Sequence, residues 1–141
     1  MDAGAIRMSL RLESSPESAG IARRAVRAAL GHSVDDWFAN AAMLCTSELV
    51  TNAIVHAGDG CELQVCFDPP SGGLLRVEVS DDSQEQPHVV PPGDVWRIGG
   101  RGLQIVEQAS TRWGTQDLAP GKVVWFELGP AGRHDGRAIR A

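Results

Sequence analysis

The sequence predicts an α/β two-layer sandwich, a single mixed β-sheet covered on one face by helices. An opening segment alternates apolar and polar residues with period two. Two segments of helical periodicity follow it, and strand-like runs then return with one more helix among them. The resulting order is strand, two helices, two strands, loop, helix, two strands.

Ile6, Met8, Leu10 and Leu12 alternate with Arg7, Ser9 and Arg11, which predicts a strand with one buried face. Ser15-Pro16-Glu17 predicts a helix start, because serine caps and proline suits the first helical position. Ile21, Ala22, Ala25, Val26, Ala29 and Leu30 supply that helix's apolar stripe, and Gly31 ends it. Ser33 to Asp36 reads as a second capped start. From Trp37 to about Ala57, Phe38, Ala41, Ala42, Cys45, Leu49, Ala53 and Ile54 keep helical spacing until Gly58-Asp59-Gly60 stops them. Strands are expected at Cys61–Phe67 and Leu74–Ser80, joined by the hairpin loop Asp68 to Gly73. Residues 82–99 carry three prolines and few apolar anchors, the composition of a lid or binding loop. A helix is expected from near Gly102 through Leu103, Val106 and Ala109. A short strand begins at Trp113 and a strong one covers Lys122–Leu128. The expected division is one domain over residues 1–128 and a flexible Gly- and Arg-rich tail over 129–141.

A chain of 141 residues can bury roughly two thirds of its unfolded surface, enough for a core without staples. Hydrophobic residues at 43% and charged residues at 22% are ordinary globular usage. No apolar run reads as long enough to span a membrane, and Met1 to Arg11 lacks the apolar block of a secretory signal. The expected address is therefore the cytoplasm, with no membrane partner. A net charge of −5 gives nonspecific nucleic-acid binding no electrostatic drive, so no nucleic-acid partner is expected. Arg23, Arg24 and Arg27 read as the solvated face of a helix. Three cysteines argue against a disulfide framework: Cys61 and Cys66 point to opposite faces of a strand, and Cys45 sits in a helix. Four histidines form no ligand-like cluster.

Glu48, Asn52 and His56, spaced by four, lie roughly 6 Å apart along a helix and drift about 40° per step, so they share a face. Such a stripe either faces water or does chemistry. A carboxylate beside an amide oxygen can hold Mg²⁺ or orient a nucleophile, and buried without partners each would cost roughly 1–3 kcal/mol. Asp81, where a strand gives way to a loop, is either a turn residue or an acceptor. Gly99-Gly100-Arg101-Gly102-Leu103 precedes a helix, where glycines let backbone N–H groups approach an anion and the helix terminus adds partial positive charge. It matches neither the dinucleotide fingerprint nor the Walker pattern.

In combination these segments resemble the Bergerat-fold (GHKL) ATPases. Glu48-Leu49-Val50-Thr51-Asn52-Ala53-Ile54-Val55-His56-Ala57 is similar to that group's N box, Val79-Ser80-Asp81 to its next box, and Gly100-Arg101-Gly102-Leu103 to its phosphate-binding box. The resemblance runs from about Arg7 to Leu128. Trp113-Gly114 and Gly121 to Glu127 liken the chain to the bacterial, actinobacterial-type anti-sigma factor serine/threonine kinases. The resemblance implies a Bergerat ATP-binding fold using ATP and Mg²⁺, with Asn52 as the Mg²⁺ ligand and Glu48 as general base. It also implies that Asp81 accepts a hydrogen bond from the adenine amino group, while the backbone of Gly100 to Gly102, with Arg101 and Leu103, forms the phosphate segment. Residues 82–99 would be the ATP lid. Ser83 stands where many members carry glycine, and serine tolerates fewer backbone conformations. His56 has no assigned chemistry.

Two functions follow from the resemblance. One is a protein kinase that phosphorylates a serine or threonine on an anti-sigma antagonist protein. The other is a non-catalytic module that sequesters a sigma factor or another regulator. Retention of both Glu48 and Asn52 favours the kinase, since a pure binder needs no base. Autophosphorylation on histidine is disfavoured because no phospho-acceptor helix precedes the domain. Chains of this kind commonly pair as homodimers.

Overall fold

In the computed structural model, residues 4–57, 59–69, 73–81, 98–118, 121–129 and 138–140 are described. They form β1 (Ile6–Leu12), α1 (Ser18–Leu30), α2 (Asp36–Ala57), β2 (Cys61–Asp68), β3 (Leu74–Asp81), α3 (Ile98–Ala109), β4 (Arg112–Asp117), β5 (Lys122–Leu128) and β6 (Ala138–Arg140). The sheet order is β1-β2-β3-β5-β4-β6. The first five strands in that order pair antiparallel, while β6 runs parallel to β4. The sheet is therefore mixed, as expected, with a five-stranded antiparallel body.

Alternation decides which face is dry. Leu63, Val65 and Phe67 of β2, Leu75, Val77 and Val79 of β3, and Val124, Phe126 and Leu128 of β5 are all buried and share one face. The helices cover that face: α2 lies between α1 and α3 and touches β2, β3 and β5. β1 behaves differently because it is an edge strand. Leu12 is buried, Met8 and Leu10 are half-buried, and Ile6 is 41% exposed, so the expected buried face closes only toward α1.

Helix boundaries correct two sequence expectations. Ser15 does not cap α1; its Oγ donates to Glu17 Oε1 at 2.8 Å and accepts the Glu17 backbone N–H at 3.1 Å, a local turn that delays the helix to Ser18. Gly31, at φ 59°, does end α1, its N–H reaching Arg27 O. Asp35 Oδ1 accepts the Phe38 N–H at 2.8 Å and caps α2. The second correction is α3, which starts at Ile98 rather than near Gly102. Glycine's poor helix propensity hides the first turn from a periodicity reading.

α2 also corrects the expectation about apolar length. Asp36–Val55 is long and apolar enough to cross a bilayer by length and composition, with mean hydropathy 1.2. Half of that window is buried, because Phe38, Ala42, Cys45, Leu49 and Ala53 pack into the core. Its apolarity serves the helix at the centre of the helical layer. The segment expected to be a loose tail contains β6, whose Ala138 to Arg140 pair with Trp113 to Thr115. All three cysteines are free; Cys45 and Cys61 are buried and Cys66 is half-buried.

Candidate functional site

α2 carries two polar groups on a side otherwise rich in small apolar residues. Asn52 is only 3% exposed, and Glu48, one turn earlier, is half-buried. Burial holds the Glu48 carboxyl above its ordinary range, and the positive charge of Arg23 opposes that shift. Arg23 reaches across from α1, where its Nη1 donates to Ser47 Oγ at 2.8 Å. Cys45, one turn before Glu48, has its thiol pushed up to about 12 by burial and by the nearby Glu48 charge. Glu48 is thus a carboxyl that holds a proton more readily than a solvated one. The His56 side chain lies outside the described positions.

Asp81 closes β3 on the helix-covered face. Its side chain is buried, and Lys122 Nζ donates to Oδ1 at 3.1 Å from an equally buried position. The two residues are direct cross-strand partners in the β3–β5 register, and Asp117 of β4 is the register partner of Lys122 on the other side. Cys61 opens β2 beside them; burial and the Asp81 charge push its thiol up to about 11. Sequence reasoning missed Lys122. The signal was present: Lys122 falls in phase with Val124, Phe126 and Leu128, and a lysine on a buried strand face requires a carboxylate partner.

Gly99, Gly100, Arg101 and Gly102 lie in the opening turn and a half of α3; the N–H groups of Gly99 and Gly100 lack intrahelical acceptors, whereas Gly102 has Ile98 four residues before it inside the helix. Leu103 is 1% exposed and Val106 fully buried, so the helix is anchored just beyond its glycines. The Arg101 side chain, Ser83 and residues 82–97 of the expected lid fall outside the described set.

These parts sit on touching elements. α2 packs along α3 and contacts β3 and β5, and its last turn leads through Gly60 into Cys61, beside Asp81. The donor chemistry suits a Mg²⁺-nucleotide. Among the described residues no group of three or more His, Cys, Asp and Glu could cage a metal, but Mg²⁺ bound with phosphates needs only one or two protein oxygens. Asn52 offers one, and the start of α3 offers N–H groups suited to an anion.

Comparison with known proteins agrees with this layout. The family profile of the histidine kinase-like ATPase domain matches residues 12–127, from the end of β1 to the end of β5. An uncharacterized protein of Streptomyces coelicolor is 32% identical over 87 residues, covering 61% of this chain and 81% of the relative. With most of its length matched and its antiparallel sheet covered by three helices, the chain belongs to the histidine kinase-like ATPase family of the GHKL type.

Proposed function

We propose that this protein is a cytoplasmic serine/threonine protein kinase of the anti-sigma type, acting on a small antagonist protein. The observation that carries the reading is Glu48 one helical turn from Asn52, the first half-buried with its carboxyl raised above the ordinary range by burial and the second buried. Bound ATP·Mg²⁺ supplies the γ-phosphoryl group and neutralises charge on it.

Asn52 holds the metal through its side-chain oxygen. Backbone N–H groups from Gly100 to Gly102 bind the phosphates, and Arg101 adds positive charge. Asp81 accepts from the base. Glu48 would orient the incoming hydroxyl and take its proton as the new phosphate ester bond forms and the bond from the γ-phosphorus to the bridging oxygen breaks, with ADP as the leaving group. A general base works best with a pKa near the operating pH, which the burial of Glu48 favours. Phosphorylation adds about −1.5 to −2 charges to the antagonist, enough to break its interface with the kinase. The sigma factor is the remaining partner in this reading, and a homodimer is the expected assembly.

The test uses Glu48→Gln. Calorimetry is expected to show ATP·Mg²⁺ binding unchanged, while radiolabelled phosphate transfer to proteins captured from the native cell is lost. Transfer at the parent rate would remove Glu48 from the chemistry, and no transfer by the parent itself would leave a sequestering protein.

A further inference from the structure

The two edges of the sheet are finished differently. The short β6 lies along the outer side of β4, whereas β1 pairs with β2 on one side and, among the described residues, with no strand on the other. Ile6 to Leu12 therefore present a row of main-chain N–H and C=O groups that no strand takes up, a ready template for an added strand. The side chains of this edge divide by face. Ile6, Met8 and Leu10 lie on the helix-covered side, yet Ile6 is exposed and the other two are only half-buried, because the helices reach β1 mainly through α1. Arg7, Ser9 and Arg11 lie on the open side and are all exposed. Arg11 faces Glu62 of β2 and donates to the Asp59 carbonyl oxygen at 2.9 Å. Arg7 faces Cys66 rather than a carboxylate, and its guanidinium makes no hydrogen bond or ion pair among the described residues. On a chain of net charge −5 this edge is locally basic.

We propose that β1 is a docking edge that accepts an extended segment of a partner protein as a seventh strand, with Asp or Glu opposite Arg7 and Arg11 and apolar residues alternating with them. Acidic residues four apart on that segment meet the two guanidinium groups. Its apolar residues point to the other face and cover Ile6, Met8 and Leu10. Main-chain hydrogen bonds hold the strand, and the arginines choose which strand is held. A second copy of the chain fits this edge poorly. The antiparallel register that pairs all seven residues is centred on Ser9 and sets Arg7 against Arg11 of the partner copy, and like charges directly opposite destabilise a pairing. The same two side chains thus oppose self-pairing and select an acidic strand.

Two fluorescent synthetic peptides test this, Val-Glu-Val-Ser-Val-Glu-Val and its counterpart with lysine in place of both glutamates. Anisotropy titrations on the full chain at low salt are expected to show the acidic peptide binding at least about tenfold tighter, with the gap narrowing as salt rises. Arg7→Glu is expected to remove most of that preference, and Arg11→Glu less of it because Glu62 already stands opposite Arg11. Thermal melts report whether each variant is folded; should Arg11→Glu fail to fold, Arg7→Glu decides. Amide hydrogen exchange followed by mass spectrometry is expected to slow across Ile6–Leu12 when the acidic peptide is bound. Equal affinity for the two peptides, binding of neither, or unchanged exchange in β1 would overturn the proposal. A dimer of the parent chain that Arg7→Glu tightens would also overturn it, by giving the edge to a second copy.

Discussion

Glu48 shows how one side chain trades stability for chemistry. Burial raises its pKa above the ordinary 4.5, so the folded chain binds this proton more tightly than the unfolded chain. Stability from this group is then present below the unfolded value and is lost as pH rises through the raised folded value. Glu48→Gln removes the charged form, so the variant is expected to melt at a higher temperature than the parent at pH 7.5. The two melting curves should converge near pH 4; a constant difference across that range would contradict the argument. Thr46 is a second costly residue. Its hydroxyl is fully buried in α2 and, among the described residues, has no hydrogen-bond partner. Thr46→Val keeps the shape and is expected to raise stability by about 1 kcal/mol, measured by urea unfolding.

At the scale of elements, the link between α2 and β2 is the tightest constraint. Gly60 has φ +90°, and an added Cβ would lie 2.4 Å from the Leu12 carbonyl oxygen. Gly60→Ala therefore faces both a left-handed backbone and a backbone clash, and is expected to cost on the order of 2–4 kcal/mol in denaturant unfolding. The open face of the sheet has its own staple. Arg76 stacks 4.1 Å from the centre of the Trp125 ring and donates to Glu78 and Glu127, while Arg112 donates to Glu127 from β4. Although burial alone would raise it, the Glu127 carboxyl is held below its ordinary range by these guanidinium bonds.

Most of the elements were legible from periodicity, because α2, β2, β3 and β5 each bury a regular face. What escaped depended on tertiary contacts: the hydroxyl of Ser15 engaged by Glu17, the first turn of α3 built from glycines, and β6 paired at a distant edge. The candidate site divided the same way. Glu48 and Asn52 could be read from their spacing along one helix. Lys122 could not be paired with Asp81, 41 residues away, until the strand register placed the two side by side.

For the whole molecule, binding and folding are linked. A nucleotide that binds the folded chain alone stabilises it by about 2.7 kcal/mol at a hundred times its dissociation constant. Saturating ATP·Mg²⁺ is therefore expected to raise the melting temperature by several degrees. Asn52→Ala should reduce the part of that shift that depends on Mg²⁺, and an unchanged metal titration would contradict its assigned role.

The distribution of sulfur makes this chain its own folding reporter. Cys45 and Cys61 are sealed in the core with thiols that resist ionisation, whereas Cys66 reaches the open face. A brief pulse of maleimide should therefore add one mass increment to intact molecules and three to those caught open. Mass spectrometry can thus count the open fraction without any engineered probe.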